Sequence, residues 1–164
     1  MSDSMCKVKE FMVKFGYVPG HLEDIPKGEV TEGMLRAMGK SLQIFAKEME
    51  PWFRRCDVRL LRGHLMMEEL GELLEAMADL DELGVLDGLA DLEYVTKGTA
   101  IQFDLPLDAA FDEVHRANMT KERVLESDTR LRRKGMNWNP PDLIRVLDHH
   151  RQCQADESRQ DKFA

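Results

Sequence analysis

Cysteine is scarce in this 164-residue chain. Its three cysteines, Cys6, Cys56 and Cys153, are far apart, odd in number and never form a CxxC pair. That argues against a disulfide framework and a thiolate metal site, and for reduced thiols in a cytoplasmic protein. Long apolar runs are missing as well. No stretch reaches the ~20 residues of a membrane span, and the opening MSDSMCKVKEF lacks the apolar core of a signal peptide. Positive charge is in deficit: 23 Lys and Arg against 31 Asp and Glu leave a net charge of −8. This argues against a broad surface for nucleic acid polymers. An acidic protein can still hold polyphosphate where a metal ion bridges the two. Aromatics are only 7%, no segment alternates with a strand's period of two, and no repeat is evident. Leu, Met and Ala are plentiful, and that palette favours helices. An all-α fold in one domain, 1–164, is expected.

Helical periodicity places the elements. Residues 5–16 form an amphipathic helix with Val8, Phe11, Met12 and Phe15 on one side, ended by Gly16. A Gly/Pro-rich connector follows. Thr31 is the expected N-cap of a helix over about 32–48, and Pro51 should break it. A third helix is expected over about 53–80. Gly84 and Gly88 punctuate the chain before a fourth over about 86–103. Leu105-Pro106 turns, and Asp108 caps a fifth over about 109–119. The stretch 120–140 reads as charged and irregular. Asn139-Pro140-Pro141 then starts a last helix, and the polar tail after about 152 reads as mobile.

The acids carry the functional signal. In MEELGELLEAMADL, at about 100° per residue, Leu70, Leu73, Leu74, Met77 and Leu80 fill one arc. Glu75 and Asp79 fall with Glu68 on the opposite, wet face. Glu69 falls between Ala76 and Leu80, and Glu72 at the border of the same arc. The next helix shows the same oddity: Asp87 and Asp91, four apart and hence stacked, share an arc with Leu83, Ala90, Tyr94 and Ile101. Carboxylates at a packed interface are costly without a counter-charge. Basic residues on these faces are few. Oxygen-only donors suit Mg²⁺, with Mn²⁺ as a substitute, rather than Zn²⁺. A di-iron bundle would need Glu-x-x-His on two helices, which is absent near the acids.

E-x-x-E on one helix and a paired acid motif on the next resemble the MazG-like all-α NTP pyrophosphohydrolase superfamily. The stretch DGLADLEYVTKGTAIQFDLPLDAAFDEVHRANMTK is similar to its phosphoribosyl-ATP pyrophosphohydrolase-like branch, related to the dimeric dUTPases. KGMNWNPPDL and VKEFMVKFG carry the same resemblance. It implies a four-helix-bundle core, about 52–121, with helical extensions at both ends. It implies Mg²⁺-dependent cleavage of a nucleoside triphosphate between its α and β phosphates, giving a monophosphate and pyrophosphate. Matched by motif, Glu69 and Glu72 are metal ligands and Glu68 is the acid before them. Either Glu68 or Glu69 orients the attacking water. Asp91 ends the second motif. Its usual glutamate position is Gly88, so Asp87 is the expected substitute. Asn118 and Lys121, in NMTK, match the pair directed at the phosphates.

Weaker candidates complete the set. Arg116 is a candidate phosphate ligand, Lys134 and Trp138 a loop closing over the nucleotide, and Phe11 and Phe15 walls of a base pocket. His64 is read as structural, and Tyr94 as buried against a neighbouring helix. Two other functions compete: phosphoribosyl-ATP hydrolysis, made less favoured by the Asp-x-x-x-Asp variant and the C-terminal extension, and a non-catalytic helical interaction protein. Relatives suggest a homodimer or dimer of dimers.

Overall fold

The computed structural model describes residues 2–17, 19–53, 57–124 and 132–160. Cys56 and residues 161–164 lie outside them. Six α-helices and one minimal strand pair are present among the described residues: α1 (Asp3–Phe15), α2 (Glu29–Phe53), α3 (Val58–Asp79), α4 (Glu82–Gln102), α5 (Leu107–Met119), β1 (Glu122–Arg123), β2 (Arg132–Arg133) and α6 (Leu143–Gln160). The all-α expectation holds. Among the described residues no helix is long and apolar enough to cross a membrane. The chain forms two compact units, Gly20–Phe103 and Met1–Pro19 with Asp104–Ala164.

The first unit is built from α2, α3 and α4. Glycine sets its closest approaches. A Cβ on Gly39 of α2 would sit 2.8 Å from the Gly71 carbonyl oxygen of α3, and one on Gly71 would sit 3.1 Å from the Gly39 oxygen. The two backbones therefore cross where neither carries a side chain. Ala46 and Leu73 fill the core beside this crossing, at 3% and 4% exposure. On the other side of α3, a Cβ on Gly88 of α4 would lie 3.0 Å from Leu73 Cβ, and one on Gly84 would lie 2.9 Å from Ala76 Cβ.

These contacts explain where helix propensity misleads. Gly84 and Gly88 do not punctuate the chain. They lie inside α4, because close packing on α3 outweighs the ~1 kcal/mol that glycine costs in a helix. Pro51 does not break α2; it stands in the last turn, two residues from the end. Thr31 is not a cap, since the helix opens earlier, with Gly28 carbonyl accepting from Glu32 N–H at 3.0 Å. At the start of α3, Asp57 is the cap, its carboxylate accepting from Arg59 N–H at 2.9 Å.

The second unit packs α1, α5 and α6. Gly16, at φ 76°, closes α1 as expected, its N–H and that of Tyr17 meeting carbonyls of the last turn. Phe15 is fully buried. Lys7 reaches Asp112 at 2.6 Å, and His115 meets Glu10 at 3.3 Å, tying α1 to α5. Pro106, not Asp108, precedes α5. Asn139-Pro140-Pro141 stay outside α6, and Asp142 supplies the capping oxygen to Arg145 N–H at 3.0 Å. α6 runs on to Gln160, well past the boundary expected for the tail. Within 120–140, read as irregular, β1 and β2 pair antiparallel, Glu122 opposite Arg133 and Arg123 opposite Arg132.

Candidate active site

The α3–α4 register brings the motif acids together. α4 runs antiparallel to α3, with Gly84 against Ala76, Gly88 against Leu73 and Gly98 against Arg62. This register places Glu69 opposite Asp91, and Glu72 opposite the turn that holds Asp87. The electrostatics agree. Burial pushes the Glu69 carboxyl above its ordinary value, and the negative charges of Asp91, Glu72, Glu68 and Asp87 push it further. A carboxyl that feels four others lies inside an acidic cluster. Glu69 is half-buried, whereas Glu72, Asp87 and Asp91 are exposed.

Position 88 can be read directly. Gly88 is buried, and a Cβ there would also lie 3.1 Å from Leu73 Cα. That position faces the packed backbone of α3 and has no room for a glutamate. Asp87, one residue earlier, is free of this contact and faces the charge of Glu69.

Among the described residues of its own unit, the α4 face that holds Asp87 and Asp91 is left open rather than packed, contrary to the expectation from its helical periodicity. Leu83, Tyr94 and Ile101 are open, Tyr94 at 79% exposure, while Val95 and Ala100 turn inward with Gly88. α2 carries a matching open stripe of Val30, Met34, Met38, Phe45 and Trp52. Both helices spend their small residues on α3 and leave their large ones outside.

Beyond Glu69, a groove of about 570 Å³ is lined by Gln43, Ala46, Lys47, Glu50, His64, Glu68 and Glu72. His64 donates through Nδ1 to the Ala46 carbonyl at 2.8 Å, which turns Nε2 toward Glu68 Oε2, 3.5 Å away. His64 thus bridges α2 and α3 beside a motif acid. Glu75 and Asp79 are not simple wet-face acids. Asp79 is paired with Arg36 of α2. The Glu75 stem packs where a Gly39 Cβ would be, 2.9 Å from it, and its Oε1 is buried without a hydrogen-bond partner.

The remaining candidates belong to the second unit. Asn118 and Lys121 are half-buried at the end of α5. Burial lowers the Lys121 pKa, and the charges of Arg132 and Lys134 lower it further. Lys134 Nζ stands 4.1 Å from the centre of the Trp138 ring. Arg132, missed in the sequence, lies 5.2 Å over the Phe11 ring and 5.7 Å over Tyr17, and donates to the Tyr17 hydroxyl. One candidate is corrected: Phe15, at 0% exposure, is core and walls no base pocket. Arg116 is held by Glu113, at 2.8 and 2.7 Å, and by the Pro140 carbonyl at 2.9 Å. Only the third dimension exposes Glu113, since its spacing matched nothing but an i,i+3 partner.

A helical unit that opposes two acid pairs across adjacent helices has the build of an all-α NTP pyrophosphatase. The phosphoribosyl-ATP pyrophosphohydrolase profile matches residues 35–118, just over half of the chain. The chain belongs to that family, within the MazG-like all-α NTP pyrophosphatase superfamily. No curated protein and no solved structure matches it at significance. The match spans all five motif acids and Asn118, and ends before Lys121, the hairpin and α6.

The family is typically metal-dependent. As they stand, no three His, Cys, Asp or Glu side chains among the described residues form a group that could hold a metal ion. The donor set nonetheless fits a hard divalent cation. It is carboxylate oxygen throughout, drawn from two helices, and four of its members add to the charging cost of the fifth, Glu69. A bound cation would relieve that repulsion.

Proposed function

We propose that this pyrophosphohydrolase is a Mg²⁺-dependent nucleoside triphosphate pyrophosphohydrolase. It cleaves a (d)NTP between the α and β phosphates, yielding the monophosphate and pyrophosphate. One observation carries the reading: the half-buried Glu69 carboxyl, opposed across the α3–α4 register by Asp91 and surrounded by the charges of Glu72, Glu68 and Asp87. Such an arrangement costs stability unless a cation joins it.

Glu68, Glu69, Glu72, Asp87 and Asp91 are the residues that would hold the metal. Mg²⁺ held there supplies positive charge against the phosphate oxygens. Glu68 or Glu69 orients the attacking water and accepts its proton. From the family resemblance, Asn118 and Lys121 of the second unit are read as phosphate-facing residues, and Phe11, Lys134 and Trp138 as nucleotide-facing ones. The open apolar stripes on α2 and α4 suit burial against a second copy, so the working form is read as a homodimer or dimer of dimers. The protein is read as cytoplasmic.

Incubation with Mg²⁺ and a panel of NTPs, dNTPs and phosphoribosyl-ATP tests this, with pyrophosphate measured against orthophosphate. Pyrophosphate release from at least one nucleoside triphosphate is expected. Turnover of phosphoribosyl-ATP alone would move the substrate to the family's namesake, and no turnover with any of them would sink the proposal.

A further inference from the structure

The hairpin after α5 collects positive charge that the acidic chain does not neutralise. Its register sets Glu122 opposite Arg133 and Arg123 opposite Arg132. Continued by one residue, the same register sets Lys121 opposite Lys134. Successive residues of a strand point to opposite sides. Lys121, Arg123, Arg132 and Lys134 therefore share one side, and Glu122 and Arg133 the other. The second side is balanced, with Arg133 Nε 3.4 Å from Glu122 Oε2. The first side is four cations. Among the described residues none of the four makes an ion pair with an acid. Like charges directly opposite one another destabilise a strand pair.

The local structure holds three of these cations. Arg132 lies over the Phe11 and Tyr17 rings. Arg123 lies against Gly16, where a Cβ would collide with its guanidinium. Lys134 sits over the Trp138 ring. A guanidinium fixed on aromatic faces loses little freedom on binding an oxyanion. An independent observation points the same way: Trp138 Nε1, on the ring beside Lys134, is a buried donor without an acceptor. Buried donors are rarely left so.

We propose that the Lys121–Arg123–Arg132–Lys134 side of the hairpin is a binding site for a polyphosphate chain that needs no bridging metal. Four cations, three of them held in place, match the charge of a triphosphate, and Trp138 Nε1 donates to an oxygen of the same ligand. The inference rests on the proposed function in taking Lys121 as a phosphate-facing residue, but it makes a separate claim: binding persists without Mg²⁺.

Titration calorimetry of the full chain in EDTA tests it, with sodium tripolyphosphate as the probe. Wild type is expected to bind, with affinity falling as salt rises. Neutralising Arg123 and Arg132 together, as Arg123→Gln/Arg132→Gln, should weaken binding on the order of tenfold per lost charged contact. Because Arg132 also packs on two rings, Arg132→Lys and the exposed Lys134→Gln provide variants less disturbing to the fold. The first should keep most of the affinity, and the second should lose about tenfold. Glu69→Gln should bind tripolyphosphate like wild type.

Absence of metal-free binding, or binding indifferent to all four cations, would overturn the site. Tighter binding of a single-stranded oligonucleotide than of tripolyphosphate, at equal phosphate concentration, would reassign the surface to nucleic acid and also overturn it. ATP in EDTA separates a nucleotide's chain from the inorganic one. Equal or tighter binding of ATP supports the nucleotide source; rejection of ATP overturns it. The two proposals fail separately. Loss of tripolyphosphate binding in a chain that still releases pyrophosphate sinks this inference alone. Binding without any turnover sinks the enzymatic reading alone.

Discussion

Glu69 and Glu113 are two glutamates on helices, and the structure treats them in opposite ways. Glu113 is 6% exposed, nearly lost to solvent, yet every demand it makes is met. Arg116 grips both its oxygens, the Asp142 N–H donates to Oε1 at 2.7 Å, and Arg145 lies 3.6 Å off. These partners hold its pKa down, to about 2. Glu69 is half-buried and its neighbours are acids, so desolvation first and their negative charge second move its pKa up. Burial alone says little about the purpose of a carboxylate; the sign of its neighbours says much more. Glu113 is a rivet that fastens the 140–145 segment to α5. Glu69 stabilises nothing by itself, which is what a residue kept for a ligand looks like.

The largest expected effect breaks this comparison at Glu69. Glu69→Gln removes a charge that the fold does not want. Pyrophosphate release should fall by about 10³-fold or more, the scale of losing one preorganised electrostatic element. Circular dichroism should show unchanged helix content, and melting in EDTA should occur at the same temperature as wild type or higher. A metal-free melting temperature that drops by several degrees would instead make Glu69 structural.

Glu113→Gln should do the reverse. Arg116 and Arg145 lose their counter-charge, and the α5–α6 segment loosens. Melting should fall by several degrees while the acids of α3 and α4 keep their chemistry. The pH dependence separates the two sites further. Glu113 has a folded pKa of about 2 against an ordinary 4.5, so its contribution is present above pH 4.5 and drains away as pH falls toward 2. Glu69 has a folded pKa above its ordinary 4.5. Its contribution is therefore full below pH 4.5 and is lost as pH rises through the folded value. In EDTA the deficit of Glu113→Gln against wild type should appear above pH 4.5 and vanish in strong acid. Any gain from Glu69→Gln should also grow with rising pH, but with the opposite sign.

These contrasts show what was legible in the sequence. Six helices, the acid pairs and the family resemblance were readable, because a 3.6-residue period and an E-x-x-E spacing are local. The orientation of α4 was not. Its wheel shows two apolar arcs, and Leu83, Tyr94 and Ile101 looked like the better core. Glycine decided otherwise, since only the Gly84–Gly88 side lets α4 come close to α3. Glu113 and Arg132 were hidden for a related reason. Their partners, Asp142 and Tyr17, lie 29 and 115 residues away in the chain, and no local pattern reports such distances. Phe15 was over-read as functional because an aromatic is as useful in packing as in binding.

Gly88 gives a third, intermediate effect. Gly88→Ala should gain about 1 kcal/mol of helix propensity. The added methyl would meet Leu73 Cβ at 3.0 Å and Cα at 3.1 Å, and overpacking of this kind costs about 1–3 kcal/mol. A net loss of about 1 kcal/mol is expected by urea denaturation. The clash is with Leu73, so a double-mutant cycle with Leu73→Ala should show coupling between the two positions. Additive effects would mean that α4 does not approach α3 there. The register that opposes Glu69 to Asp91 would then fail with it.

The smallest effect is expected at Asp79, which shares helix α3 with Glu69 and pairs with a cation. Arg36 lowers the Asp79 pKa, and Asp79 raises that of Arg36, as in any ion pair. Both side chains are largely open to solvent, at 51% and 43% exposure. Water already screens such charges, and ordering two long side chains offsets much of the attraction. Asp79→Asn should therefore shift melting by no more than a degree or so and leave pyrophosphate release at the wild-type rate. A large loss of activity would mean that the acidic cluster extends a full ten residues beyond Glu69. The division of α3 into a ligand-holding half and a merely packed half would then be wrong.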